Sequence, residues 1–276
     1  MKHCLLFISI FLALNLQAQY TWMGKRQTNS SIVLDPSEIQ MFGTIATVLN
    51  QPINEYQYIP FAFGASKSIV SKLIDNNRTW EMVAEFGVFT QFEWTTIDGK
   101  QQRNLLNADY KAAFSYVRKQ AFSTIRVRFF HVSTHLGDDY IFRNALESHT
   151  FNNRNYEQID FTYYRNLRPN WRVYAGLGSV VRPNIKRRPF SYQIGSQREF
   201  LKEKKQFALS CGINLQGFQE TSFTPNVKTA FGVAYIQEDN EEPIRLLLEF
   251  YSGHLPYSQK EKETIDWLGI GLYFCI

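Results

Sequence analysis

Residues 206–217 read QFALSCGINLQG, and the stretch alternates: Phe207, Leu209, Cys211, Ile213 and Leu215 fall on one parity, Ala208, Ser210, Gly212, Asn214 and Gln216 on the other. Successive side chains of a strand point to opposite faces, so this pattern is a strand with one apolar face and one small, polar face. Residues 265–276, IDWLGIGLYFCI, repeat it, with Leu268, Ile270, Leu272, Phe274 and Ile276 opposed to Gly269, Gly271 and Tyr273. Followed outward from these two segments, the alternation predicts ten strands near residues 81–94, 105–118, 121–133, 156–166, 170–181, 188–197, 206–217, 225–237, 243–252 and 265–276, with two weaker ones near 42–49 and 58–66.

A soluble sandwich and a membrane barrel both alternate, so strand length and the chemistry of the second face must decide between them. Most of these strands run to about ten residues, the length that a tilted strand needs to cross a bilayer, where ordinary strands average about five or six. The non-apolar face carries Glu85, Glu93, Asp109, Lys111, Arg126, Arg128, Arg172, Lys228, Arg245 and Glu249 among glycines and alanines. Mixed charge of this kind suits a lumen in which opposite charges pair across the interior. Aromatic residues make up 16% of the chain, and Trp80, Trp94, Trp171, Trp267 and Tyr251 near strand ends fit interfacial girdles. The fold class read from the sequence is therefore all-β, an antiparallel transmembrane outer-membrane barrel of ten to twelve strands.

At the N-terminus, Lys2 and His3 precede an apolar run from Cys4 to Leu14, then polar Asn15 and a cleavable Ala18. This reads as a secretory signal peptide over 1–18, leaving 19–276 as a single barrel domain with a weaker N-terminal part, 19–79. Without Lys2 the exported chain has 29 basic and 25 acidic residues, a net charge of +4. That is too slight to argue for nucleic acid, and no recognisable nucleic-acid motif appears. No Gly-rich phosphate loop, paired CxxC or nucleotide motif is present, which disfavours soluble cofactor enzymes. The remaining cysteines, Cys211 and Cys275, fall on opposite faces of non-neighbouring strands and are expected to be free thiols.

Chemistry concentrates in Arg128–Tyr140, RFFHVSTHLGDDY. Ile125, Val127 and Phe129 share a parity with His131 and Ser133, while Arg126 and Arg128 hold the other, so His131 and Ser133 sit on the apolar face. If the C-terminal strand runs towards the periplasm, Arg118–Gln120, Leu167–Asn170 and Glu238–Glu242 become short internal turns. Segments 95–104, 134–155 and 253–264 become longer external loops. Strand 121–133 then runs outward and places His131 and Ser133 at the outer-leaflet rim, facing lipid. Residues i and i+2 project from one face about 7 Å apart, close enough for an imidazole to take a hydroxyl proton. A structural use of the same residues, tying down a tight loop by hydrogen bonds, competes with catalysis.

NADY at 107–110, the motif through Tyr140, WRVYAGLG at 171–178 and FYSGHLPYSQ at 250–259 together resemble an uncharacterised family of bacterial outer-membrane barrels. The hallmark of that family is His-x-Ser-Ser-His-Leu-Gly-Asp-Glu; Thr134 and Asp139 stand here for a serine and a glutamate. The resemblance covers residues 80–276 and implies the barrel and its location, but no reaction. More loosely, His131-Val-Ser133 is similar to the His-x-Ser pair on the outward face of outer-membrane phospholipase A and lipid A 3-O-deacylase barrels. Those families place a third polar residue about a dozen positions on. Ala145 occupies the simplest position, which leaves Asp138, Asp139, Asn144 and Glu147 as alternatives for that role. On this reading Ser133 is the nucleophile, His131 the general base, and outer-membrane lipid or lipopolysaccharide the substrate.

Several other uses stay open. His131, His135, Asp138 and Asp139 could hold zinc or calcium, provided that the chain turns at Ser133. No other cofactor is implied. IKRR at 185–188 and KEKK at 202–205 read as solvated turns on opposite sides of the membrane, and His254 either approaches His131 and Asp138 across the mouth or caps a turn before Pro256. The non-enzymatic alternative is a narrow charged pore or a structural envelope barrel, the lumen being open or plugged by its inward charges. Cysteines introduced in 95–104 and 253–264 should be labelled from outside intact cells and those in 238–242 should not; the reverse pattern would invert the barrel.

Overall fold

A computed structural model describes residues 20–50, 56–75, 77–97, 99–146, 154–183, 187–201, 206–236 and 243–274. The expected signal segment, Glu147, Cys275 and 202–205 lie outside the described residues. Twelve strands form the wall: β2 (Met41–Val48), β3 (Tyr56–Asp75), β4 (Arg78–Ile97), β5 (Lys100–Lys119), β6 (Ser123–Leu136), β7 (Arg154–Arg168), β8 (Trp171–Pro183), β9 (Phe190–Leu201), β10 (Phe207–Phe218), β11 (Asn226–Tyr235), β12 (Ile244–His254) and β13 (Thr264–Phe274). Each pairs antiparallel with its neighbours, and β13 returns to β2 through Trp267↔Val48 to Phe274↔Met41, which closes the sheet. Closure is what the bilayer demands, because an open edge in hydrocarbon would leave a row of unpaired N–H and C=O groups.

The two weaker predicted strands are thus real wall strands, and β3 runs nine residues past the expected 66. The expected external loop 95–104 is instead a hairpin: β4 and β5 pair up to Ile97↔Lys100, with Gly99 at a φ of 72° supplying the left-handed turn. Strands β3, β4 and β5 are each 20 residues long, about twice what a bilayer requires, so they extend beyond the length needed to span it.

Wall parity follows the sequence. Along β12, Leu246, Leu248 and Phe250 are exposed while Arg245, Leu247, Glu249 and Tyr251 are buried. Two aromatics depart from the girdle expectation. Trp267 and Tyr251 point inward and stack at 4.8 Å, with Tyr58 beside Trp267, because their parity is that of the small inner residues.

The lumen is filled. A two-residue strand, β1 (Thr21–Trp22), pairs with Val70 and Ser71 towards the β3–β4 turn, and the chain then turns into the barrel before joining β2. Within that plug Val33, Leu34 and Ile39 are buried against Phe42, Phe89, Phe130 and Leu247 of the wall, and Ile32 against Tyr164 and Tyr174. Glu38 receives Arg126 at 2.7 Å and Arg128 at 3.0 Å, and the Ser30 carbonyl accepts from Arg126 and from Tyr164, both at 2.7 Å. Gly64 on β3 has no room for a Cβ, which would lie 2.6 Å from the backbone nitrogen of Gln40, so glycine is what lets the plug pass against the wall. From the other side the segment after β12 dips inward, burying Leu255, Tyr257 and Ser258. Gln91 donates to the Tyr257 carbonyl at 2.8 Å.

Removing one partner from a buried ion cluster strands the others without hydrogen bonds, at a cost of about 3–5 kcal/mol. Glu38→Ala should therefore lower the unfolding free energy of the barrel in micelles by that order, seen as a lower denaturant midpoint. Wild-type protein in planar bilayers should carry no steady current, and an ohmic wild-type conductance would contradict the plug.

Candidate functional site

Strand β6 separates two environments by parity. Its inward residues Arg126, Arg128, Phe130, Val132 and Thr134 are buried, whereas His131, Ser133 and His135 face out with Val127 and Phe129. Flanking residues follow from register: on β5 Ala112, Tyr110 and Ala108 stand opposite His131, Ser133 and His135, and on β7 Glu157 stands opposite His131 and Asn155 opposite Ser133. Below this group the outward wall is apolar, with Phe114, Phe129, Ile159 and Phe161 all exposed. The polar cluster therefore occupies one rim of the apolar wall, where a charge on the lipid face costs only about 0–1 kcal/mol.

Within the cluster Ser133 Oγ lies 2.9 Å from His135 Nε2, and His131 Nδ1 lies 3.1 Å from Glu157 Oε1. The expected contact between Ser133 and His131 is not among the hydrogen bonds of the described residues. Both histidines lie two positions from Ser133 on the same face, so a single side-chain torsion chooses between them, and here it points to His135. The His135 ring packs edge-on against Tyr110 at 5.8 Å. Asn155 has a buried Oδ1 without a hydrogen-bond partner among the described residues. A carboxylate on Nδ1 fixes the tautomer that leaves Nε2 of His131 free to accept a proton.

The second half of the motif has another role. Strand β6 continues through Ser133 to Leu136 and is followed by a short helix, α1 (Asp138–Arg143), in place of the expected loop. Leu105 N–H donates to Asp139 Oδ2 at 3.1 Å, and Gly137 N–H donates to the Leu106 carbonyl at 3.1 Å. Asn144 donates to the Tyr140 carbonyl at the helix end, and Asp138 and Asp139 form the first helical turn. These three candidates for the third member are thus engaged in the helix and its tie to β5, and Glu147 lies outside the described residues. The residue that meets His131 is Glu157, whose sequence signal was a lone acid sharing parity with Ile159, Phe161 and Tyr163.

Because β6 does not turn at Ser133, His131 and His135 stay about 13 Å apart along the strand. Among the described residues no group of three or more His, Cys, Asp or Glu is placed to hold a metal ion, so the proposed set His131, His135, Asp138 and Asp139 does not assemble. His254 bonds Asn226 Oδ1 through its backbone at 2.8 Å and its ring at 3.1 Å, the turn-capping use and not the approach to His131. Arg187, expected in a solvated turn, is buried against Glu261 at 2.6 Å. Cys211 is a free thiol, as expected.

Gly137 has no space for a side chain, since a Cβ would overlap the Leu105 carbonyl. Gly137→Ala should pry α1 from β5, at about 1–3 kcal/mol, and open 137–153 to protease while the barrel keeps its heat-modifiable migration. Unchanged cleavage would mean that the Gly-Asp-Asp segment does not anchor this loop.

A family model described as "Protein of unknown function (DUF1207)" matches residues 27–276. No curated protein matches the sequence. Among solved structures, the Salmonella typhi outer membrane phospholipase, a dimer with bound calcium, is 12% identical with a TM-score of 0.55, covering 85% of this chain and 90% of that one. Outer membrane phospholipase A from Escherichia coli is also 12% identical with a TM-score of 0.55, covering 86% and 97%. At this identity the likeness shows the fold alone, an outer-membrane-type β-barrel.

Proposed function

Given that the chain belongs to the DUF1207 family, we propose that it is a serine acyl-ester hydrolase working on lipid of the outer leaflet. The observation that carries this reading is the Ser133 hydroxyl held 2.9 Å from an imidazole nitrogen on the lipid-facing side of the wall. A polar quartet of Ser133, His135, His131 and Glu157 has no packing reason to stand on that face.

Ser133 Oγ attacks the acyl carbonyl as its proton passes to His135 Nε2. The imidazolium returns the proton to the leaving alcohol, and water then releases the acyl group from the serine by the same route. Asn155, opposite Ser133 in the ladder, supplies the amide donor to the oxyanion in this reading. Such a site meets an ester of phospholipid or lipopolysaccharide without drawing the lipid from the bilayer. Outer membrane phospholipase shares the scaffold, and its name gives phospholipid as its substrate; the chemistry assigned to this chain rests on its own side chains.

The pairing of His131 with Glu157 favours a second assignment in which His131 is the base. A rotation of Ser133 about its Cα–Cβ bond turns the hydroxyl to that side, where the imidazole is already backed by a carboxylate.

Ser133→Ala should remove fatty-acid release by about 10⁴-fold or more while the barrel folds normally, a rim hydroxyl being worth only about 1 kcal/mol of stability. His135→Ala should match that loss and Glu157→Gln should be mild if His135 is the base; the order reverses if it is His131. Wild-type protein releasing no acyl chain from phospholipid or lipopolysaccharide, or retaining turnover after Ser133→Ala, would overturn the proposal.

A further inference from the structure

Between the plug and the external segment after β12 the lumen keeps a cavity of about 90 Å³, enough for several waters or one small solute. Asp35 and Ser37 of the plug form its floor, and Tyr257 and Glu261 of the external segment form its roof. Its walls include Arg128, Arg154, Arg187 and Lys111, facing the carboxylates Asp35, Asp109, Asp160 and Glu261. This chamber lies inside the barrel, on the opposite side of β6 from Ser133.

Formal charge in the lining balances, but hydrogen-bonding capacity does not. Every carboxylate is already served: Asp35 by Ser37 and Gln193, Asp109 by Asn107 and Thr134, Asp160 by Gln158, and Glu261 by Arg154 and Arg187. The polar atoms left over are all donors. Arg128 Nε, Arg154 Nε and Gln216 Nε2 are buried without a hydrogen-bond partner among the described residues. Arg128 is 2% exposed and Gln216 4%, so neither reaches bulk water by moving slightly. An unpaired buried donor costs about 1–3 kcal/mol, and three strands, β6, β7 and β10, supplying such atoms to one cavity is the pattern of a site lacking its acceptor.

We propose that this chamber binds a small oxyanion, the phosphate or carboxylate of a solute entering from the external side. Guanidinium N–H groups match two-oxygen acceptors in geometry, and the Gln216 amide N–H adds a neutral donor to the same kind of acceptor. Aromatic walls from Phe89, Phe130 and Tyr156 leave room only for a compact ligand.

The test is calorimetric titration of the folded full-length barrel in micelles with inorganic phosphate and, separately, with acetate, against sodium chloride at equal ionic strength. Saturable one-to-one binding of either probe, with a dissociation constant at or below about 1 mM, is expected; phosphate alone or acetate alone identifies the preferred oxyanion. Gln216→Leu should weaken binding about tenfold and leave the unfolding midpoint equal or higher, since it deletes an unpaired buried donor and breaks no bond. Gln216→Glu should abolish binding. No saturable binding of either probe up to about 10 mM, or equal affinity in wild type, Gln216→Leu and Arg154→Gln, would overturn the proposal whatever the lipase assay shows.

Discussion

Glu38 is the contact on which the interior depends. Arg126 and Arg128 place two guanidinium groups two residues apart inside the barrel, where Asp160 of the wall lies 3.9 Å from Arg128 and Glu38 comes to both from the plug. Charges withdrawn from water in this way are tolerable only when paired and hydrogen-bonded. The plug is therefore part of the fold and not an appendage, and it converts what would be a charged pore into a packed core with Val33, Leu34 and Ile39 at its centre.

The same strand that receives Glu38 on its inner face carries the polar cluster on its outer one. Arg126 and Arg128 fix the position and register of β6 from within, while His131, Ser133 and His135 project outward from the next turns of the pleat. A one-residue slip would exchange the two sets, putting guanidinium groups into lipid and the serine into the lumen. Anchoring from inside and chemistry outside are thus one constraint. The Gly-Asp-Asp half of the motif then holds α1 to β5, so the outer end of β6 is braced on that side as well.

How much of this was legible follows from which signals are local. Period-two alternation is local, and it identified all twelve wall strands, the inward charges and the outward facing of His131 and Ser133. The plug has no period, since residues 23–40 satisfy the wall from several directions, and nothing in their spelling shows that Glu38 answers Arg126 across 88 positions. Glu157 was missed for a related reason. Its partner is set by β6–β7 register across a loop whose length the sequence does not convert into register, so the sequence points to third members inside the loop instead. Trp267 and Tyr251 were assigned to a girdle on proximity to strand ends, although their own parity already placed them inside. The choice of His135 over His131 rests on one torsion, which no sequence pattern encodes.

Covalent capture tests the central claim most directly. A fluorophosphonate carrying an alkyl tail, presented to the barrel in outer-membrane vesicles, reacts with a serine only where a neighbouring base activates it. Peptide mass spectrometry should find the adduct on Ser133, and labelling should vanish in Ser133→Ala and fall sharply when the histidine serving as base is replaced. Unlabelled Ser133 in folded wild-type protein, or labelling that survives loss of both His131 and His135, would contradict the account.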